Sequence, residues 1–317
     1  MRQVILPVKA YEPLKLELER KDMVLQSALA EHLRASLNAF ANHLIRIWIN
    51  DGRDEELIGY LMAHHMQTEE SPGTLFRGNT LVTKVMDQYM KFIAIDYLQD
   101  TVEHCIVDIC DEKRSFEMDD SRGGRPAESA RILKTHCQNI CNSIFASVDR
   151  CPPPLRRVFG VLQQQAKKRF PGDAHVQYTS VSAFLFLRLF CPAIINPKLF
   201  NMMSEHPTDT LARNLTLVAK VIQNLANMAE FGQKEAFMQP MNEFIMLNRG
   251  KMQTFLNSVS SSTRGEHEVK VASASRDLAA VARMCSQTDK LETVLDSYKV
   301  QSPLVSIIRA LESKNNA

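Results

Sequence analysis

The sequence is poor in the residues that β-architecture requires. Eleven glycines and thirteen prolines in 317 residues supply too few tight turns for a many-stranded sandwich, barrel or propeller. Long apolar runs are also missing. The longest, residues 181–195, is shorter than the about 18 residues of a membrane span and is interrupted by Arg188 and Pro192. The opening MRQVILPV has too short an apolar stretch for a secretory leader. Neither sign of charge dominates, with 38 Lys and Arg against 36 Asp and Glu, so bulk electrostatics calls for neither nucleic acid nor a membrane surface. Seven cysteines, odd in number and without a C-x-x-C, make no disulfide framework. They read as free core thiols in a reducing compartment, and the expected location is the cytoplasm.

Enzyme signatures are absent as well. There is no G-x-x-x-x-G-K-[ST], no G-x-G-x-x-G after a strand, no H-E-x-x-H and no G-x-S-x-G, which argues against a self-contained nucleotide enzyme or hydrolase. His64 with His65, His104 with Cys105, and His136 with Cys137 and Cys141 do not read as metal ligands. Adjacent helical residues point about 100° apart, and the spacings fit no zinc pattern. No metal and no cofactor is expected.

What the sequence does contain is helix, and the expected class is all-α. Leu25, Leu29, Leu33, Leu37, Phe40, Leu44 and Ile47 form a stripe of 3.6-residue period over residues 25–48. Further helices are expected over 55–66, 79–98, 101–110 and 130–148, with another opening at Pro152-Pro153-Pro154 and stopping near Phe170-Pro171-Gly172. Residues 181–190 have almost no polar face and belong at the centre of the protein. A long helix carries Leu211, Leu215, Val218, Ile222 and Leu225, a broken one covers 237–256, and two more lie at 276–284 and 303–311. The polar segment 260–265 is the best internal boundary. No period of 20 to 50 residues recurs, which disfavours a solenoid.

Two arginines have unusual surroundings. Arg77 sits in Thr74-Leu75-Phe76-Arg77-Gly78, a short loop in which Phe76 can anchor the root while the guanidinium projects. That fork of fixed, always charged donors suits phosphate oxygens. Arg188 lies in Phe184-Leu185-Phe186-Leu187-Arg188-Leu189-Phe190, where a buried guanidinium needs a specific partner. It either bonds the last carbonyls of its own helix or clamps a loop. The run Lys167-Lys168-Arg169 reads as a solvated helix end.

Thr74-Leu75-Phe76-Arg77 before a helix, Phe186-Leu187-Arg188 running into Pro192-Ala193-Ile194 and Asn196-Pro197, and Leu217-Val218-Ala219-Lys220 leading to Gln223-Asn224-Leu225-Ala226-Asn227 together resemble the GTPase-activating domain of the Ras GTPase-activating proteins. The resemblance covers roughly residues 57–256. It implies an elongated all-α domain with a central catalytic part at 52–266 and an extra helical part built from 1–51 and 267–317. The implied partner is a Ras-type GTPase, Ras or Rap, in the GTP state, which itself binds the GTP and Mg. The chain would be a monomeric activator rather than an enzyme, touching neither nucleic acid nor the bilayer interior, and recruited to the plasma membrane by flanking domains.

By the same resemblance Arg77 is the arginine finger inserted into the partner, where charge spread over phosphoryl oxygens must be stabilised, and Arg188 holds the finger loop in place. Phe76, Leu187, Arg213, Lys220, Gln223 and Asn227 would contact the GTPase. Lys220, Gln223 and Asn227 are three or four residues apart on one helix face, although a solvated face would show the same spacing. The alternative is a helical module of this fold that captures the GTP-bound partner without accelerating hydrolysis.

Overall fold

The computed structural model describes residues 7–261 and 274–286, which are helices and connecting loops with no strand among them. The chain is all-α, and it divides into two compact units. The described part of the first is 7–70, 76–89 and 274–286, and that of the second is 71–75 and 90–261.

In the first unit, α1 (Glu12–Leu18) opens with a proline in its first turn, where the missing N–H costs nothing. The next helices are α2 (Val24–His32) and α3 (Leu37–Asn50). The stripe expected to make one helix of residues 25–48 is therefore split. The chain turns at Leu33 (φ −92°, ψ 29°) and passes through a 3₁₀ turn, Arg34–Ser36. One 3₁₀ turn shifts the phase of an apolar stripe by only a fraction of a residue, so the spacing conceals the break.

The helix α4 (Asp54–Thr68) has Asp54, Glu55 and Glu56 in its first turn, complementing the helix dipole. It packs on α3, with Tyr60 edge-on to Trp48 at 6.4 Å and the Arg53 guanidinium over Trp48 at 4.8 Å. This packing groups α4 with the terminal helices, whereas the sequence boundary at residue 52 places it in the central part. Helix α5 (Leu81–Ile93) starts in this unit and continues into the second.

In the second unit, α6 (Ile95–Asp111) follows a break at Ala94 (φ −119°, ψ 3°), in place of the single helix expected over 79–98. No glycine or proline marks the break, and Ala94 is fully buried. Next come α7 (Pro126–Phe145) and α8 (Pro153–Arg169), both with proline at the start. Gly160 on α8 lets the chain after α12 approach closely, since a Cβ there would lie 2.7 Å from the Ser260 carbonyl oxygen.

Residues 176–195 are long and apolar enough by composition to cross a membrane, but most of this run is buried inside the protein. It comprises α9 (Val176–Phe184), a π-helical turn (Leu185–Phe190) and α10 (Cys191–Ile195). Pro192 cannot donate to the turn before it, and that turn widens, with Cys191 N–H donating to the Phe186 carbonyl five residues back. Then come α11 (Asp209–Ala226), a kinked 3₁₀ segment (Gln233–Met241) and α12 (Asn242–Val259).

The C-terminal helix of the first unit, α13 (Ala274–Ser286), lies along α3. There the almost fully buried Asp277 accepts from Arg46 Nε at 3.0 and 3.1 Å and lies 2.9 Å from His43 Nδ1. A carboxylate so placed would be costly without these partners. The helix expected at 303–311 and all but the first two residues of the boundary at 260–265 lie outside the described residues. All seven cysteines are free, and all but Cys110 are buried. Burial pushes Cys151 and Cys285 up to about 12, which leaves them inert.

Candidate functional site

The loop between α4 and α5 alternates sharply between buried and exposed residues. Leu75 is 3% exposed and Phe76 0%, while Arg77 and Gly78 are exposed. Phe76 packs against His65 of α4, with ring centres 5.0 Å apart and planes tilted by 36°. Its φ of +57° is a left-handed conformation that is rare for a bulky residue and is maintained only where the surroundings over-determine it. This backbone reversal, fixed by a sunk aromatic ring, is what turns Arg77 outward. Arg77 forms no ion pair among the described residues. The assignment of Phe76 as a GTPase contact needs correction: a fully enclosed ring is the root of the loop, not its surface.

Downstream, the loop is tied to α5 by Thr83, which is fully buried. Its hydroxyl donates to the Gly78 carbonyl at 2.9 Å and accepts from Thr80 N–H at 3.0 Å. Sequence reading passed over Thr83, although Thr-x-x-Thr at a helix start carries the signal: the N3 side chain reaches back to the N-cap backbone, as in a capping box. Beneath the loop, burial lowers the pKa of His65, outweighing the opposing pull of Glu69 at 3.5 Å.

In the second unit, the π-helical turn divides its residues between two faces. Leu185, Phe186, Leu189 and Phe190 are buried, with Phe186 edge-on to Phe255 at 6.1 Å and Phe190 5.9 Å from Tyr97. Leu187 is 38% exposed and Arg188 is half-buried. The widened turn thus exposes Leu187, whereas Arg188 is half-buried with its guanidinium Nε enclosed.

The α11 face is less open than its spacing suggests. Arg213 is engaged by Glu117 in a two-pronged pair, Nε to Oε2 at 2.7 Å and Nη2 to Oε1 at 2.9 Å, with Phe237 beneath the guanidinium at 6.0 Å. Burial alone would raise the Glu117 pKa, but the Arg213 hydrogen bonds and the backbone N–H groups of Asp119 and Met118 bring it below the usual range. Next to it, the fully buried Asn214 bridges the Phe116 N–H and the Arg114 carbonyl. Arg213 thus fastens the 112–125 connection to α11, with its guanidinium already engaged by Glu117.

Lys220 is ion-paired with Glu235 at the kink of the 3₁₀ segment. Both amide atoms of Gln223 are buried and without a hydrogen-bond partner, so this amide is not presented to solvent as the helical spacing implies. Asn227 ends α11 and accepts from Ser182 on α9 at 3.2 Å. Sequence reading missed Glu117 and Glu235, because no local pattern marks a carboxylate whose partner is distant along the chain. Among the described residues no group of three potential metal-ligating side chains occurs. Arg77 thus belongs to the first unit, and Leu187, Arg188, Arg213, Lys220, Gln223 and Asn227 to the second.

Comparison with known proteins supplies the context for this arrangement. Residues 57–123 and 124–227 match the family model of the GTPase-activator protein for Ras-like GTPase, a range that holds Phe76, Arg77, Leu187, Arg188, Arg213, Lys220, Gln223 and Asn227. The chain is 39% identical over 82% of its length to a probable Ras GTPase-activating-like protein of Dictyostelium discoideum. It is 33% identical over 98% to the human Ras GTPase-activating protein 1, and 35% over 97% to the human RAS protein activator like-3. The chain spans just under a third of each of these relatives (30%, 31% and 31%). With the family model matching more than half of the chain and these relatives 33% to 39% identical over most of it, the chain belongs to the Ras GTPase-activator family.

Proposed function

We propose that this chain binds a GTP-loaded Ras-type GTPase and inserts Arg77 into its active site. Hydrolysis of GTP places developing charge on phosphoryl oxygens, and a guanidinium supplied in trans stabilises it only as it develops. The observation that carries the reading is the loop itself: an exposed, unpaired Arg77 immediately beyond a fully buried Phe76 in left-handed backbone. Such an arginine has no partner to surrender before meeting phosphate, and its root is already ordered. In this reading Arg188 steadies the finger loop, and Leu187, Lys220 and Asn227 form the docking face. The GTP and its Mg belong to the partner, so the chain hydrolyses nothing alone.

The test is single-turnover hydrolysis by a GTP-loaded Ras with excess activator. Arg77→Ala is expected to lower the stimulated rate by about 10³-fold or more while binding of the GTP-bound partner stays nearly unchanged. Arg77→Lys should rescue little, because a point charge cannot replace the fork. A near-native rate for Arg77→Ala refutes the mechanism. Tight GTP-dependent binding with no stimulation by the unaltered chain would mark a capture module instead.

A further inference from the structure

A cavity of about 820 Å³ opens in the first unit between the α2–α3 junction, α4 and the start of α5. Its size falls within the range of about 300 to 1,000 Å³ typical of small-molecule sites. Arg34 from the 3₁₀ turn, His64 and His65 from α4, and Lys84 from the first turn of α5 all line it. Glu31 is the acidic member of the lining, so the formally charged residues, Arg34 and Lys84 against Glu31, leave a positive balance. Arg34 and Lys84 have no ion-pair partner among the described residues, and Lys84 is half-buried. A half-buried ammonium without a counter-ion pays desolvation with nothing in return. Lys15, Arg46, Arg53 and Arg213, by contrast, are each matched to a carboxylate.

We infer that this cavity binds a phosphate-bearing anion. The Arg34 fork matches phosphate geometry and Lys84 adds a point charge. The apolar floor argues against an acyl chain: Leu37, Leu61, Leu81 and Val82 are 8%, 4%, 7% and 2% exposed and offer little surface to one. Asn79 and Thr80, the stem of the loop that carries Arg77, complete the wall, so the ligand touches the finger loop from behind. The binding itself does not depend on the proposed activity and is measured without any GTPase.

Two sources share this chemistry, a soluble phosphorylated molecule and a lipid headgroup. Titration calorimetry with inorganic pyrophosphate probes the first. Co-sedimentation with phosphatidylcholine vesicles, with and without phosphatidylinositol bisphosphate, probes the second. The unaltered chain is expected to bind at least one probe, and Arg34→Gln with Lys84→Gln should weaken that binding at least tenfold with an unchanged circular dichroism spectrum. Lys167→Gln with Lys168→Gln, at the exposed end of α8, should leave it intact. Pyrophosphate binding assigns a soluble ligand, and binding confined to the phosphoinositide vesicles assigns a headgroup. Binding of neither probe, indifference to the Arg34 and Lys84 changes, or an equal loss from the α8 changes would overturn the inference.

Discussion

The α4–α5 loop, which carries the proposed finger, and the α11 face present cations in opposite ways. Arg77 is exposed and unpaired, and its loop owes its order to apolar burial at Phe76 and a hydroxyl at Thr83. On α11, Arg213 and Lys220 already have carboxylate partners, Glu117 and Glu235. A group meant to meet transition-state charge gains from being held by contacts that leave its donors free. In its proposed docking role, Lys220 exchanges one carboxylate for another, at small net energy because its more exposed pair with Glu235 is worth little. The two regions therefore separate order from charge in one case and combine them in the other.

Of the two regions, the larger stability effect is expected at the more buried pairing, Glu117 with Arg213. Glu117→Ala should strand the Arg213 donors and cost about 2 kcal/mol in chemical denaturation, whereas Arg77→Ala should leave stability unchanged. Equal sensitivity at the two sites would erase the contrast. Arg188→Lys comes next. If Arg188 steadies the finger loop, the folded variant should stimulate hydrolysis at least tenfold less well, about 1.4 kcal/mol, with binding retained. Full stimulation would leave only the helix-capping role.

A smaller effect, at most about 1 kcal/mol, is expected for Lys220→Glu. It should slow association with the GTP-bound partner at low salt, and the deficit should shrink as salt rises or as activator saturates. A rate defect that saturation does not relieve would move Lys220 from docking to catalysis. The smallest effect concerns the base of the loop. The folded-state pKa of His65 lies below its ordinary 6.5, so on acidification the unfolded chain takes up this proton first. Stability should begin to fall as pH drops through 6.5 and the contribution should be exhausted below the depressed folded value. His65→Gln should flatten that part of the curve, and an unaltered profile would remove His65 from it.

Most helices were legible because burying one face imposes a 3.6-residue period that no other element mimics. The start of α8 was marked by proline and the long α11 by its apolar stripe, whereas α7 begins at Pro126, four residues before the expected start at 130. The breaks at Leu33 and Ala94 were illegible, since neither has proline or glycine and each depends on packing. Arg77 was legible as a candidate because Pro72-Gly73 and Gly78 frame its loop and because the motif resembles a known family. Its conformation was not legible, since nothing local announces a phenylalanine at positive φ. For Arg188, apolar neighbours implied enclosure, which holds at its buried Nε, while the π-helical turn before Pro192 that leaves the residue half-buried was not legible.

The sequence by itself determined the helical class, the family, the free thiols and the residue types at the finger and on α11, because periodicity, composition and short motifs are local properties. Only the tertiary structure decided which cations are free. Glu117 reaches Arg213 across 96 residues and Asp277 reaches Arg46 across 231, while nothing reaches Arg34, Arg77 or Lys84 among the described residues. Whether a charge is neutralised depends on distances of a few ångströms between segments far apart in the chain, and those distances exist only after the helices have packed.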